Sequence, residues 1–184
     1  MTALARRPES EPSIPEIEIT RMRRRHLRKV LSIEAQVYPR PWSATLFLAE
    51  MSQRATRSYV VARRGTEVTG YAGMMFTGFE AHVTNIAVDP KWQGHRIGTR
   101  LLLNLATEAI ARGAETISLE VRVSNTVAQS MYEKFGFVTT GVRKGYYIET
   151  NEDALVMEVK GARSTDFRLR LQAIRDQLRG HSRA

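Results

Sequence analysis

The stretch NIAVDPKWQGHRIGTR, from Asn85 to Arg100, constrains the fold of this chain more than any other. A β-branched run ends on Asp89-Pro90, crosses a short polar turn containing Gly94, and enters an apolar-periodic segment from Leu101 to Ala111. Proline removes a backbone donor and locks φ, so the strand has to stop there. The spacing predicts a strand, a tight loop, and a helix from Gly94 to Ala111. A helix start leaves N–H groups without partners and carries partial positive charge, which suits an anionic phosphate. The expectation is a phosphorylated ligand at this loop.

The rest of the chain supplies a sheet and helices around that unit. Ile17 to Met22 reads as a short strand, and residues 23–37 as a helix with Leu27, Val30, Leu31 and Glu34 on one face. Tyr38-Pro39-Arg40-Pro41-Trp42 breaks it, and Ser43 is placed to cap a second helix through Met51. Ser58 to Arg64 and Glu67 to Phe76 form a β-hairpin around Gly65, with Ala81 to Asp89 as the next strand. Thr116 to Val123 is a buried strand, Thr126 to Phe135 a short helix that Gly136 can close, and Phe137 to Tyr147 with Ala154 to Lys160 a long hairpin. The order β-α-α-β-β-β-α-β-α-β-β predicts a mixed α/β (α+β) fold, its sheet flanked by helices. Phe167, Leu171, Ile174 and Leu178 then recur as on an amphipathic helix, expected to dock on the domain or to pair in a homodimer rather than bind a membrane.

A chain of 184 residues with 42% apolar and 26% charged residues is long enough to bury a full core as one domain. No apolar run approaches the ~18 residues of a membrane span, and MTALARRPESEPSIPE has no apolar segment of the secretory type. The absence of cysteine removes disulfides, thiolate metal sites and a cysteine nucleophile. A cytoplasmic protein without metal is expected. Residues 1–16 read as a disordered segment with three prolines, 17–160 as the domain, and 161–184 as a basic tail.

The net charge of +9 is concentrated at the ends. Residues 1–29 hold eight basic and four acidic side chains, residues 161–184 six and two, and the middle fourteen against thirteen. Such ends either attract a polyanion weakly, a ribosome or RNA for example, or simply keep the chain soluble.

The Asn85–Arg100 loop, the later Leu119-Glu120-Val121-Arg122 with Asn125, and the run Met131-Tyr132-Glu133-Lys134-Phe135-Gly136-Phe137 together resemble the GNAT (GCN5-related) N-acetyltransferases, in particular the RimI type that acetylates the alanine N-terminus of a ribosomal protein. The resemblance covers roughly residues 17–160 and implies a mostly antiparallel sheet of six to seven strands with about four helices. It also implies acetyl-CoA as co-substrate. The family loop has the form Q/R-x-x-G-x-G/A, and its backbone N–H groups hold the CoA pyrophosphate. Here it reads Gln93-Gly94-His95-Arg96-Ile97-Gly98, followed by Thr99. Arg96 stands where the first family glycine is expected, and Gly94, two places earlier, can restore some freedom. The resemblance further implies that the strand before this loop splays from its neighbour, opening the sheet, and that the backbone of Ile86, Ala87 and Val88 pairs with the pantetheine arm. Asn125 is either a cofactor contact or only a helix N-cap.

Acetyl transfer from a thioester to an amine needs a proton acceptor, a donor to the carbonyl oxygen, and a proton donor for the leaving thiolate. Glu120, in an otherwise apolar strand, is the candidate base, expected with a pKa raised by desolvation; a strand glutamate can equally be a solvated or arginine-paired group. The RimI-type LEVR glutamate matches it. Tyr132 is the candidate acid, although an aromatic there also suits the core, and backbone N–H groups near Val88 are candidates to polarise the carbonyl. Trp42, Tyr146 and Tyr147 are expected at the acceptor groove, or simply packed on one another. His82 and His95 lack a metal-ligand pattern, and His82 is a candidate auxiliary relay. The resulting expectation is N-α-acetylation of a protein N-terminus. A lysine or small-amine acetyltransferase and a non-catalytic CoA- or RNA-binding module are the alternatives.

Overall fold

A computed structural model describes residues 17–180 of the chain. The expected disordered segment, residues 1–16, and the last four residues lie outside the described residues. Seven strands form one sheet: β1 (Ile17–Arg21), β2 (Arg57–Arg64), β3 (Glu67–Thr77), β4 (Glu80–Val88), β5 (Thr116–Arg122), β6 (Val138–Tyr147) and β7 (Glu152–Lys160). Their order is β1-β2-β3-β4-β5-β7-β6, antiparallel throughout except for the parallel β4–β5 pair. That one parallel step requires a crossover, which α3 (Ile97–Ala111) provides. The remaining helices are α1 (Leu27–Val37), α2 (Ala44–Ser52), α4 (Thr126–Lys134) and α5 (Thr165–Gly180).

The helices cover both faces of the sheet. Leu101, Leu102 and Leu105 of α3 pack with Met74, Ile117 and Leu119 on one face. On the other, Val30 and Ile33 of α1 and Phe47 of α2 pack with Val61, Tyr71 and Ala87. The amphipathic C-terminal segment is docked: Phe167, Leu171, Ile174 and Leu178 are buried in the α3-side core. Burying side chains of this size contributes about 1.5–3 kcal/mol each before ordering costs.

Two features of the backbone concern the site. The main helix begins at Ile97, three residues later than Gly94, because Pro90–Trp92 takes a separate 3-10 turn. Asp89 caps that turn by accepting the Lys91 N–H at 3.0 Å, and Lys29 Nζ holds its other oxygen at 2.6 Å. Burial pushes the Asp89 pKa up, but these donors outweigh it and keep the carboxyl below its ordinary range.

The second is the opening of the sheet that the resemblance implies beside β4. β4 and β5 pair only from Glu80↔Thr116 to Val83↔Leu119. Beyond that, β4 stays with β3 through Val88, and β5 stays with β7 through Arg122. The cause lies in β4, where Val83 faces Met74 and Asn85 faces Gly73, leaving Thr84 as an extra residue. Such a bulge bends its strand and ends regular pairing. It is accommodated because residue 73 is glycine: a Cβ there would overlap Tyr59, Thr84 and Asn85.

Candidate active site

The gap between the diverging strands is where the site forms. The Asp89 N–H donates to Thr69 O on β3. By the alternation of an antiparallel ladder, Ala87 also faces β3, whereas the backbone groups of Ile86 and Val88 face the gap. The Ile86 carbonyl accepts the Tyr38 hydroxyl at 3.0 Å. Of the expected pantetheine-arm residues, Ile86 and Val88 therefore offer backbone groups to the gap. Ala87 instead contributes its side chain to the α1-side core.

At the gap's end lies the loop. Gly94 has φ +81° and Arg96 φ +57°, ψ +22°, so two residues are left-handed just before α3. A glycine at residue 96 would adopt that conformation freely, whereas arginine pays roughly 1–2 kcal/mol. Arg96 is the N-cap residue and no side chain caps the helix there. The first-turn N–H groups of Ile97, Gly98 and Thr99 lack intrahelical acceptors, as at any helix start. This end fits a pyrophosphate. His95 is folded back, with Nδ1 3.0 Å from Gln93 O, and its ring lies edge-on to Trp92. Gly98 has a structural reason of its own, since a Cβ there would press on Met131 Sδ at 3.3 Å.

Glu120 lies where β5 leaves β4. Leu119 and Val121 face the α3-side core, so Glu120 projects to the α1 side, as does His82 between Ala81 and Val83. His82 Nε2 is 2.9 Å from Glu120 Oε2, and Arg143 Nη1 is 3.2 Å from Oε1. His82 Nδ1 is in turn 2.9 Å from Ser118 Oγ. The expected upward pKa shift of Glu120 is not found. The hydrogen bond from His82 outweighs desolvation and, with the charge of Arg143, holds the carboxyl below its ordinary range.

Tyr132, on α4, is buried against Phe137, and burial pushes its pKa up. The charge of a Tyr147 phenolate would act in the same direction as burial. Asn125 serves as the α4 N-cap, its Oδ1 accepting the Ala128 N–H at 3.1 Å. Gln129 bonds the carbonyls of Arg122 and Val123 at 2.9 and 2.8 Å, tying α4 to the end of β5.

The three aromatics expected at the acceptor groove are all partly packed. Trp42 lies against Phe47 and Tyr59, and its N–H donates to Glu34 Oε1 at 3.0 Å. Tyr146 and Tyr147 meet edge-on at 5.1 Å. Arg143 stacks over the Tyr146 ring, and Arg122 over the Tyr147 ring. Burial pushes the Tyr147 hydroxyl up to about 12. For Tyr146, burial and then the charge of Glu120 act in the same direction, which puts the hairpin tip beside the carboxylate.

Ser118, Arg143, Tyr38 and the carboxyl of Glu34 were not singled out as site residues from the sequence. Ser118 and Glu120 are two apart on one strand, so the β period alone could have grouped them. Arg143 reaches Glu120 from β6, and no local pattern signals that contact.

The model of the Acetyltransferase (GNAT) family matches residues 27–137. The N-alpha-acetyltransferase RimI of Mycobacterium tuberculosis is 36% identical over 147 residues, 77% of this chain and 90% of that protein. The ribosomal protein bS18-alanine N-acetyltransferase of Escherichia coli is 35% identical over 127 residues, 68% of this chain and 84% of its own. A crystal structure of the Escherichia coli ribosomal-protein-S18-alanine N-acetyltransferase superposes with a TM-score of 0.72 and 30% identity, covering 79% of this chain and 94% of that one. A family model matched over more than half of its length, and relatives above 30% identity that cover more than two thirds of it, show that the chain belongs to the GNAT family of acetyltransferases.

Proposed function

We propose that this acyltransferase carries the acetyl group of acetyl-CoA to the α-amino group of a protein N-terminus, and that the acceptor is a ribosomal protein of the bS18 type beginning with alanine. Acetyl-CoA supplies the thioester-activated acyl group. The N–H groups of Ile97, Gly98 and Thr99 hold its pyrophosphate, and the gap-facing backbone of Ile86 and Val88 aligns its arm. The Val88 N–H donates to the acyl carbonyl oxygen, where negative charge develops. Glu120, with His82 behind it, takes up the proton of the acceptor ammonium. Tyr132 keeps its proton in the resting site because burial disfavours phenolate, and releases it to the sulfur only as the C–S bond breaks. Trp42, Tyr146 and Tyr147 flank the acceptor's first residues.

One observation carries this reading: Glu120 is held ionised by His82 and Arg143 at the mouth of the gap. A carboxylate with a lowered pKa is a weak base, so it suits an acceptor that gives up its proton readily. An α-amine titrates near 7.7–8.0 and a lysine near 10.4, a difference worth roughly 3–4 kcal/mol in deprotonation. The likeness to the N-terminal acetyltransferases of Mycobacterium tuberculosis and Escherichia coli supports the same choice. The test is acetylation, followed by mass spectrometry, of a peptide beginning with alanine against an N-terminally blocked peptide with an internal lysine. Modification of the first and not the second is expected. The reverse pattern makes this a lysine acetyltransferase.

A further inference from the structure

With its apolar stripe turned inward, α5 leaves a cationic surface outside. Two shallow notches flank it. One lies where Thr116 of β5 pairs with Lys160 of β7, at the end of β5 away from the gap, and is lined by Lys160, Arg163 and Arg168 with the single carboxylate of Glu115. The other runs between α5, α3 and β1 and is lined by Arg100, Arg175 and Arg179, with no acidic residue among the described residues. Arg163 is 3.7 Å from Glu115, with both side chains exposed, an arrangement worth little. Arg175 reaches Thr107 of α3, and Arg100 reaches the Leu178 carbonyl, so the helix is tied down on this side.

From Arg168 to Arg179 the helix rises roughly 16 Å. One nucleic-acid strand carries a phosphate about every 3.4 Å of axis, so several phosphates can lie along such a length. The guanidinium fork matches phosphate oxygens in pairs. A lipid surface fits less well: Phe167, Leu171, Ile174 and Leu178 are already buried, and Leu169 is the only large apolar side chain that α5 exposes. Interfacial binding needs a free apolar face to insert.

We propose that α5 and the cations of its two notches form a docking track for the phosphodiester backbone of RNA. It lies on the α3 side of the sheet, whereas the Glu120–His82 pair faces the α1 side. The choice of RNA over another polyanion rests on the acceptor reading above, since a ribosomal protein is presented beside RNA.

The test titrates the full chain with a labelled RNA hairpin by fluorescence anisotropy across a salt series. Acetylation of the alanine peptide is measured in parallel. Log affinity is expected to fall linearly with log salt. The variant Lys160→Gln/Arg168→Gln/Arg179→Gln changes three side chains that make no ion pair among the described residues. It should lose roughly 10–100-fold in RNA affinity at moderate salt and flatten the slope by about 2–3, with peptide acetylation unchanged. Unchanged RNA affinity in that variant overturns the track. So does displacement of RNA by saturating CoA, which would give these cations to the coenzyme. Equal affinity for polyglutamate or for phosphatidylserine vesicles overturns it as well. RNA binding without alanine-peptide acetylation defeats the acceptor reading alone, whereas acetylation without RNA binding defeats the track alone.

Discussion

Two carboxyl groups on the α1 side of the sheet are withdrawn from water to a similar degree and end in opposite states. Glu34, on α1, is 2% exposed; one oxygen accepts the Trp42 N–H, and the other is buried without a partner. Burial raises its pKa from 4.5 to about 7. The Glu120 side chain is 8% exposed, yet His82 and Arg143 hold its pKa below the ordinary value. Burial sets the cost of a charge, and the donors around it decide whether the charge survives. The region beneath Trp42 therefore holds a proton near neutrality, while the mouth of the gap keeps a negative charge.

The largest effect should come from breaking the ionised member. Glu120→Gln retains the shape and a hydrogen-bond acceptor for His82 but loses the charge. Turnover is expected to fall roughly 10²–10⁴-fold, the usual range for general acid–base groups, with coenzyme affinity unchanged in a binding titration. Wild-type turnover in that variant would remove Glu120 from the chemistry.

Next comes the protonated member, whose signature is in stability. The folded-state value of Glu34 lies above its unfolded one, so between them the folded chain binds the extra proton. Its contribution is complete below pH 4.5 and is lost as pH rises through about 7. The shift corresponds to at most about 3 kcal/mol. Glu120 has the opposite sign and a different window: its contribution is present above the unfolded value and is lost as acid protonates it. Glu34→Gln should remove the fall in Tm that wild type shows from mildly acidic to mildly alkaline pH, a difference of several degrees for a chain of this size. Parallel curves for the two proteins would show that Glu34 has found a partner.

The smallest effect is a conformational one and serves as the contrast. Arg96→Gly relieves a left-handed residue while removing a cation. The backbone relief favours the variant by about 1 kcal/mol, and coenzyme affinity should be kept or tightened. A large loss of affinity would show that the guanidinium has become part of the phosphate site.

Much of this was legible before the structure because it is local. The β4–loop–α3 unit follows from a β-branched run, an Asp-Pro and a 3.6-residue period within one short segment, and the α5 stripe from four apolar residues. The resemblance implied the opening of the gap, but its cause escaped because it is set by register. A single extra residue, Thr84, produces it, and nothing in Val83-Thr84-Asn85 announces a bulge. His82 meets Glu120 only because the parallel pairing sets His82 beside Ser118. Arg143 arrives from a strand two positions away in the sheet. Expecting a raised pKa for Glu120 followed from its apolar strand neighbours. Those neighbours face the other side of the sheet, and the side chain itself meets His82 and Arg143.

We propose that the opened strand pair aims an acyl group at a carboxylate already held ionised, and a crystal structure with acetyl-CoA and an alanine-initiated peptide is the decisive experiment. The pyrophosphate is expected on the amides of Ile97 to Thr99, and the peptide's amine within hydrogen-bond reach of Glu120, directly or through one water. An amine bound away from Glu120, with the coenzyme arm outside the β4–β5 gap, would contradict it.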